Sequence, residues 1–288
     1  MSTVPSLRAE VTAASGVLAS CGVPSPEADA VALAAFVLNV DVGEVRRAMV
    51  LGAPTDDTFT ERYAGLVAER GSRVPLQHLT GTAHFRRLTL SVGPGVFVPR
   101  PETEVVAGFA IEAALAAGPT PRVVDLCTGS GAIALAVKDE VPGAEVFAVE
   151  VSDLAHGWAL ANRDRLCLDV DIRLGDATTA FGDLEGSVDV VVSNPPYIPL
   201  GAVPLDPEVR DHDPEVALYG MSADGLAVPR AVAQRAADLL RPGGVLVMEH
   251  ADSQGESLPR ALRGSGRWRE VADHADLSGR PRVAVART

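Results

Sequence analysis

No apolar run in the sequence approaches the roughly 18 residues that a membrane-crossing helix needs, which argues against an integral helical membrane protein. The opening MSTVPSLRAEVTAASG lacks the basic-then-apolar pattern of an export signal, so a cytoplasmic protein with no membrane partner is expected. Cysteine is scarce. Cys21, Cys127 and Cys167 are odd in number and far apart, which fits neither a disulfide framework nor a zinc site with paired ligands. The six histidines are scattered with no H-E-x-x-H spacing, and no metal is expected. Positive charge is also short, since 25 Lys and Arg face 38 Asp and Glu, leaving −13 at pH 7. Such a surface repels phosphate on average, so no direct nucleic-acid partner is expected. What is present is a chain of 288 residues, 47% hydrophobic, which excludes a disordered or fibrous protein and suffices for about two domains.

Residues 1 to about 70 are alanine-rich and read as a small helical bundle. In SPEADAVALAAFVL, Ser25 suits an N-cap, Pro26 the first turn, and Glu27 and Asp29 the positive end of the helix dipole. Further helices are expected over Val42 to Met49 and Thr58 to Arg70, the latter placing Phe59, Tyr63, Leu66 and Val67 on one face. From 71 to 100 the pattern alternates through Phe85, Leu88, Leu90 and Val92, and Gly93-Pro94-Gly95 is expected to turn the chain into Val96-Phe97-Val98 as a linking hairpin. A helix then starts near Glu102 and Glu104. Beyond Arg122 the runs VVDL, EVFAVE, DIRL, VDVVVS and GVLVMEH alternate with helical stretches, which predicts a doubly wound, mostly parallel α/β sheet covered on both faces. Two final strands, near Val271 to His274 and Arg282 to Ala286, are expected to close it as an antiparallel pair. The expected division is a helical domain over 1–75, a hairpin linker over 76–100 and a catalytic domain over 101–288.

The first strand of that sheet ends at Asp125-Leu126 and runs into Cys127-Thr128-Gly129-Ser130-Gly131. Ligands of doubly wound sheets bind beyond the carboxyl ends of strands, where glycines let backbone approach a ligand closely. This loop also satisfies the dinucleotide fingerprint through Gly129, Gly131 and Ala134, so alone it leaves a dehydrogenase or a plain turn open. The second strand ends at Glu150, where a carboxylate is suited to accept from both ribose hydroxyls; a helix cap is the competing reading. Asp176 and Ala177, after the third strand, suit an adenine amino group and ring face, and a surface turn explains them almost equally well.

The fourth strand ends in Ser193-Asn194-Pro195-Pro196-Tyr197. Two successive prolines lack donors and restrict their predecessors, so the chain must turn rigidly. Such a corner is expected to hold outward the Asn194 side-chain oxygen, the Pro195 carbonyl and the Tyr197 ring. Two acceptors side by side match the two N–H bonds of a planar NH₂ group, and the ring stacks on its flat face. An amide nitrogen is a poor nucleophile, and acceptors that grip both hydrogens aim its lone pair and stabilise developing positive charge. The matching electrophile is a sulfonium methyl. His212 and His250 are the nearest bases by sequence and are expected to be structural or exposed.

VVDLCTGSG followed by VSNPPYIP resembles the glutamine-N5 methyltransferases that modify peptide-chain release factors. RVPLQHLTGTAHF, GPGVFVPRPETE, PEVRDHDPEVAL, RPGGVLVMEH and DLSGRPRVAVA are similar to blocks of the same family, in the same order. The resemblance implies a Rossmann-like S-adenosylmethionine-dependent methyltransferase. It implies the cofactor on Asp125, Cys127, Thr128, Gly129, Ser130, Gly131, Glu150, Asp176, Ala177 and Asn194, with substrate glutamine on Asn194, Pro195, Pro196 and Tyr197. Asn194, Pro195 and Tyr197 are the implied catalytic groups. The implied partner is a class I release factor carrying the GGQ motif, recognised with help from the helical domain by an enzyme expected to be a monomer. Cys127 departs from the glycine of many relatives, and Ala177 from a bulkier residue. Weighed against this reading are a glutamine methyltransferase for a ribosomal protein, an adenine-N6 methyltransferase for DNA or RNA, which the net charge disfavours, and a non-enzymatic module that retains cofactor binding.

Overall fold

The computed structural model describes residues 6–288. Its chain divides into two compact units: one holds the amino-terminal residues through Thr82 together with Pro204–His212, the other Ala83–Val203 and Asp213–Thr288. No helix among the described residues is long and apolar enough to cross a membrane.

The first unit is a bundle of α1 (Leu7–Ser20), α2 (Pro26–Leu38), α3 (Val42–Leu51), α4 (Asp57–Gly71) and the short α5 (Leu76–Thr80). Its core joins Leu18, Leu33, Val45, Phe59, Tyr63 and Val67. Of the expected apolar face of α4, Phe59, Tyr63 and Val67 are buried and Leu66 half-buried, and the Tyr63 hydroxyl donates to the Ala30 carbonyl at 2.8 Å. Ser25 occupies the N-cap of α2, yet its side chain makes no capping bond. Asp29 stands in the first turn of α2 as expected, but it is buried and also receives the Arg70 guanidinium at 2.7 Å. Arg70 also reaches Glu208 at 2.7 Å, and Arg73 meets the same carboxylate at 3.0 Å. This ionic cluster ties the Pro204–His212 segment to its helical unit.

The second unit opens with a hairpin of β1 (Thr82–Phe85) and β2 (Leu88–Ser91). Its turn falls at Arg86-Arg87, with Arg86 at φ +51; Gly93-Pro94-Gly95 turns the chain as expected, with Gly95 at φ +86 and the Val96 N–H on the Gly93 carbonyl, but Val96 to Val98 form no strand. The glycines have another purpose. A Cβ on Gly93 or Gly95 would lie 2.7 Å from Trp158 or Leu154, so the glycines are there to admit these two side chains.

The remaining elements are α6 (Pro101–Ala117), β3 (Arg122–Leu126), α7 (Ala132–Glu140), β4 (Glu145–Glu150), α8 (Asp153–Leu166), β5 (Val170–Leu174), β6 (Val188–Ser193), α9 (Pro207–His212, which belongs to the first unit), α10 (Ala227–Leu239), β7 (Leu240–Glu249), α11 (Ser257–Gly264), β8 (Glu270–Ala275) and β9 (Pro281–Arg287). The seven strands run in the order β5-β4-β3-β6-β7-β9-β8. The first five are mutually parallel, and β9 is antiparallel to both β7 and β8. This is the doubly wound class that the alternating valine-rich runs predicted. Alternation along the strands feeds two cores: Val123, Val190 and Val192 join α6 and α7 on one face, while Val124, Val191 and Leu246 join α10 and α11 on the other. Each fully buried valine contributes on the order of 1.5–3 kcal/mol.

One buried amide links the hairpin to the loop after β3. Asn162 on α8 accepts from the Ser91 N–H at 2.7 Å and donates to the carbonyls of Ser91 at 2.9 Å and Ser130 at 3.1 Å. Asn162→Ala leaves these three backbone groups buried without partners, and urea unfolding is expected to show a loss of about 2–4 kcal/mol. A loss below about 0.5 kcal/mol would mean that other groups satisfy them.

Candidate active site

The site residues lie where the strand order reverses. β3 pairs with β4 on one side and β6 on the other, with Leu126 opposite both Val149 and Ser193, so the chain segments leaving all three strands emerge together. The Ser193 hydroxyl donates to the Leu126 carbonyl at 2.5 Å, and the Thr128 N–H to the Val149 carbonyl at 3.0 Å.

After Leu126 the backbone enters the left-handed region at Cys127 (φ +69), Gly129 (φ +58) and Gly131 (φ +85). Glycine is at ease there and cysteine is not, which is the physical content of the departure at Cys127. Burial, reinforced by the Glu150 and Asp125 carboxylates, pushes the Cys127 thiol up and makes it an unreactive apolar group. A Cβ on Gly129 would meet nothing within 4 Å, so open space lies over the loop, whereas one on Gly131 would press Leu135 at 3.0 Å. Asp125 is fully buried. Its Oδ2 accepts from the Thr128 hydroxyl at 2.6 Å and the Ala134 N–H at 3.2 Å, while Oδ1 has no partner among the described residues. Burial pushes its carboxyl up to about 7, against the pull of those two bonds.

Glu150 stands at the end of β4 as expected, but it is not a free carboxylate. Oε2 accepts from the Gly129 N–H at 2.8 Å, and Oε1 from the N–H groups of Val151 at 3.0 Å and Ser152 at 2.9 Å. A carboxylate has about four acceptor positions, so one remains, and holding two hydroxyls requires the Gly129 bond to open. Glu150 therefore braces the glycine loop before it meets any ligand. Gly175, just beyond β5, donates to the Glu150 carbonyl at 2.8 Å. Asp176 is exposed and closes a local turn, its Oδ1 taking the N–H and hydroxyl of Thr178 at 2.8 and 2.7 Å. Ala177 is buried in the cluster of Val149 and Phe181.

Beyond β6 the double proline turns the chain, with Pro195 buried and Asn194, Pro196 and Tyr197 half-buried. Asn194 Nδ2 donates to Thr103 Oγ1 at 3.3 Å, and the Tyr197 hydroxyl to Glu249 Oε1 at 3.1 Å. The Tyr197 carbonyl accepts from Gln254 Nε2 at 2.9 Å and lies so close to Gly225 that a Cβ there would sit 2.1 Å away. Burial and the Glu249 charge push the Tyr197 phenol up, so it stays protonated. His250 is structural: fully buried, its ring is held between the Ala251 carbonyl and Asp273, both at 2.7 Å. His212 belongs to the helical unit. Sequence reasoning passed over Thr103 and Glu249, although both stand inside blocks it singled out, because neither has a spacing signature of its own.

Two family models match the chain: PrmC N-terminal domain over residues 11–81 and Methyltransferase small domain over residues 87–203. The chain is 53% identical to the release factor glutamine methyltransferase of Streptomyces coelicolor, over 98% of each chain. It is 42% identical to that of Bifidobacterium longum, over 96% of this chain and 97% of the other. The chain belongs to the release factor glutamine methyltransferase family. Within that family's neighbourhood it is also 39% identical, over 92% of this chain and 89% of the other, to the 4-amino-L-phenylalanine/4-methylamino-L-phenylalanine methyltransferase of Streptomyces pristinaespiralis. Among solved structures, a 16S rRNA methyltransferase of Thermus thermophilus in complex with AdoMet and guanosine superposes with a TM-score of 0.51 at 24% identity, over 72% of this chain and 49% of the other. A methyltransferase from Pyrococcus furiosus gives 0.51 at 19%, over 69% of this chain and 87% of the other. These likenesses show the fold, that of Rossmann-like S-adenosylmethionine-dependent methyltransferases.

Because Glu150 both braces the loop and stands at the strand end, Glu150→Ala is expected to weaken S-adenosylmethionine binding by at least tenfold in calorimetry, about 1.4 kcal/mol. Unchanged affinity would remove Glu150 from the cofactor site.

Proposed function

We propose that the protein transfers a methyl group from S-adenosylmethionine to the side-chain amide nitrogen of the glutamine in the GGQ motif of a class I peptide-chain release factor. The observation that carries this reading is the acceptor corner beside the glycine loop: Asn194 gives its N–H to Thr103, which leaves its oxygen free, and no described backbone donor takes the neighbouring Pro195 carbonyl. Identity of 53% to a release factor glutamine methyltransferase along nearly the whole chain supports the substrate. A protein substrate suits the −13 charge better than a nucleic acid does, and translation puts the reaction in the cytoplasm.

The residues suit the cofactor. Open space over Gly129, the orphaned Asp125 Oδ1 and the remaining acceptor position of Glu150 form a polar cradle at the strand ends. On this reading Cys127 to Gly131 hold the cofactor's amino-acid moiety, Glu150 the ribose, and Asp176 and Ala177 the adenine. A bound S-adenosylmethionine would supply a sulfonium methyl, with a neutral thioether as the leaving group. Asn194 Oδ1 and the Pro195 carbonyl would accept the two amide N–H bonds of glutamine and Tyr197 would pack on its plane, so that the stiff proline corner fixes the direction of the nitrogen lone pair. The nitrogen acquires positive charge as its bond to carbon forms, and the two acceptor oxygens stabilise that charge more than they do the neutral amide. The nitrogen then sheds a proton readily, so no strong base is needed beforehand.

The aminophenylalanine methyltransferase relative favours a second acceptor class, because paired oxygens grip any planar NH₂ group. Incubation with labelled S-adenosylmethionine and purified release factor, followed by mass mapping, is expected to place the methyl on the GGQ glutamine. Label found only on free 4-aminophenylalanine, a ribosomal protein or duplex DNA in parallel reactions would reject the reading. Asn194→Ala is expected to keep cofactor affinity while transfer falls about 100-fold or more, on the order of 3 kcal/mol of transition-state stabilisation. Near-normal turnover in that variant would remove the gripping role.

A further inference from the structure

We propose that Glu249 is the positioning residue of the acceptor corner: through the Thr103 and Tyr197 hydroxyls it sets which face of the Asn194 amide, and which orientation of the Tyr197 ring, is offered to the substrate. The inference deepens the proposed function and rests on it. Glu249 is the last residue of β7, 2% exposed, one step beyond the Met248–Ser193 pair that carries β6 into the acceptor corner. Its Oε1 receives the Tyr197 hydroxyl at 3.1 Å, Asn194 Nδ2 reaches Thr103 Oγ1 at 3.3 Å, and the Thr103 hydroxyl lies near the same carboxyl, the acceptor to which its own hydrogen can turn.

Hydrogen counting makes this chain directional. An ionised carboxylate only accepts, so both hydroxyls must point their single hydrogen at Glu249. Thr103 then has only lone pairs left for Asn194, which must turn its NH₂ toward Thr103 and its oxygen away. A reversed amide would face Thr103 oxygen to oxygen, and would offer donors to the donor hydrogens of the substrate amide. One carboxylate thereby selects the amide rotamer that the reaction needs, without touching the substrate itself.

The same counting gives a pH dependence. Burial pushes the Glu249 carboxyl up to about 7, against the two hydroxyl bonds and the Arg282 charge, with Glu102 adding to the rise. Its other oxygen, Oε2, is buried without a partner among the described residues, so few donors offset the desolvation. The groups facing it are Tyr197 after β6, Arg282 on β9, and Thr103 and Glu102 on α6; the adjacent His250 is engaged by Asp273 of β8. Protonation turns Glu249 into a donor. The neutral carboxyl has one accepting oxygen fewer, so where its proton turns to the Thr103 oxygen the Thr103 hydrogen is released toward Asn194, and the amide is drawn into the reversed rotamer. The ionised form, which dominates above about pH 7, is the one that supports transfer.

The test measures kcat and KM of the full chain with release factor and S-adenosylmethionine from about pH 5.5 to about pH 9, for wild type, Glu249→Gln, Thr103→Val and Thr103→Ser. Glutamine keeps the shape but needs an acceptor for its own NH₂, so Glu249→Gln is expected to lower kcat tenfold or more, with KM for the cofactor within about twofold. The wild-type fall of kcat below about pH 7 should vanish in Glu249→Gln. Thr103→Val should lower kcat similarly, Thr103→Ser should restore it, and Thr103→Val should add little to Asn194→Ala. Wild-type kcat and an unchanged pH step in Glu249→Gln would overturn the proposal, as would Thr103→Ser failing as badly as Thr103→Val. If Glu249→Gln does not fold, the two Thr103 variants decide. A wild type that transfers no methyl to release factor overturns the substrate reading and this proposal with it, whereas an active wild type with an indifferent Glu249→Gln overturns this proposal alone.

Discussion

The parallel register of β3 between β4 and β6 is the constraint on which the site depends. Leu126 is level with Val149 on one side and Ser193 on the other, so three chains must leave the sheet at the same height. Backbone polar groups released there need partners. Thr128 bonds the Val149 carbonyl, Ser193 the Leu126 carbonyl and Glu150 the Gly129 N–H, so the segments fasten one another before any ligand is considered. A one-residue slip of β6 would turn Ser193 and Asn194 to opposite faces and separate the acceptor corner from the loop.

The site also buries two carboxyl groups, Asp125 and Glu249, each with one oxygen lacking a partner. Burial raises both toward neutrality, and each charged form is held by only a few hydroxyl and amide donors. Filling these positions with apolar side chains would be the more stable choice, so the fold tolerates a local cost where directional acceptors are needed. Asp125 holds the glycine loop after β3, and Glu249 stands behind the proline corner after β6.

Much of this was legible in the chain. Valine-rich runs of fixed length predicted the parallel strands because both faces of the sheet are covered, and the double proline announced the corner because neither residue can continue a strand. Glu150 was found from its place at a strand end, but its three backbone partners were not, since they arise from the loop folding back across the sheet edge. The hairpin turn at Arg86-Arg87 was missed because it carries no glycine or proline; Gly93-Pro94-Gly95 turns the chain as read but leads into no strand, and a second reason for its glycines lies some sixty residues away in Trp158 and Leu154. Thr103 and Glu249 escaped for a similar reason. They sit 146 positions apart, and only the packing of α6 on the sheet brings their oxygens to one carboxyl-centred cluster.

Glu208 has a consequence for how such proteins diversify. The polypeptide crosses between its two units at residue 82, again at 203 and once more at 212, so the helical unit is built from two separate stretches of the gene. Recombination that exchanged only the amino-terminal stretch would remove Arg70 and Arg73 and leave the buried Glu208 carboxylate opposite foreign residues, at a cost of about 3–5 kcal/mol. The amino-terminal helices and the strap of residues 204–212 must therefore be inherited as a set, although the gene separates them by more than a hundred codons.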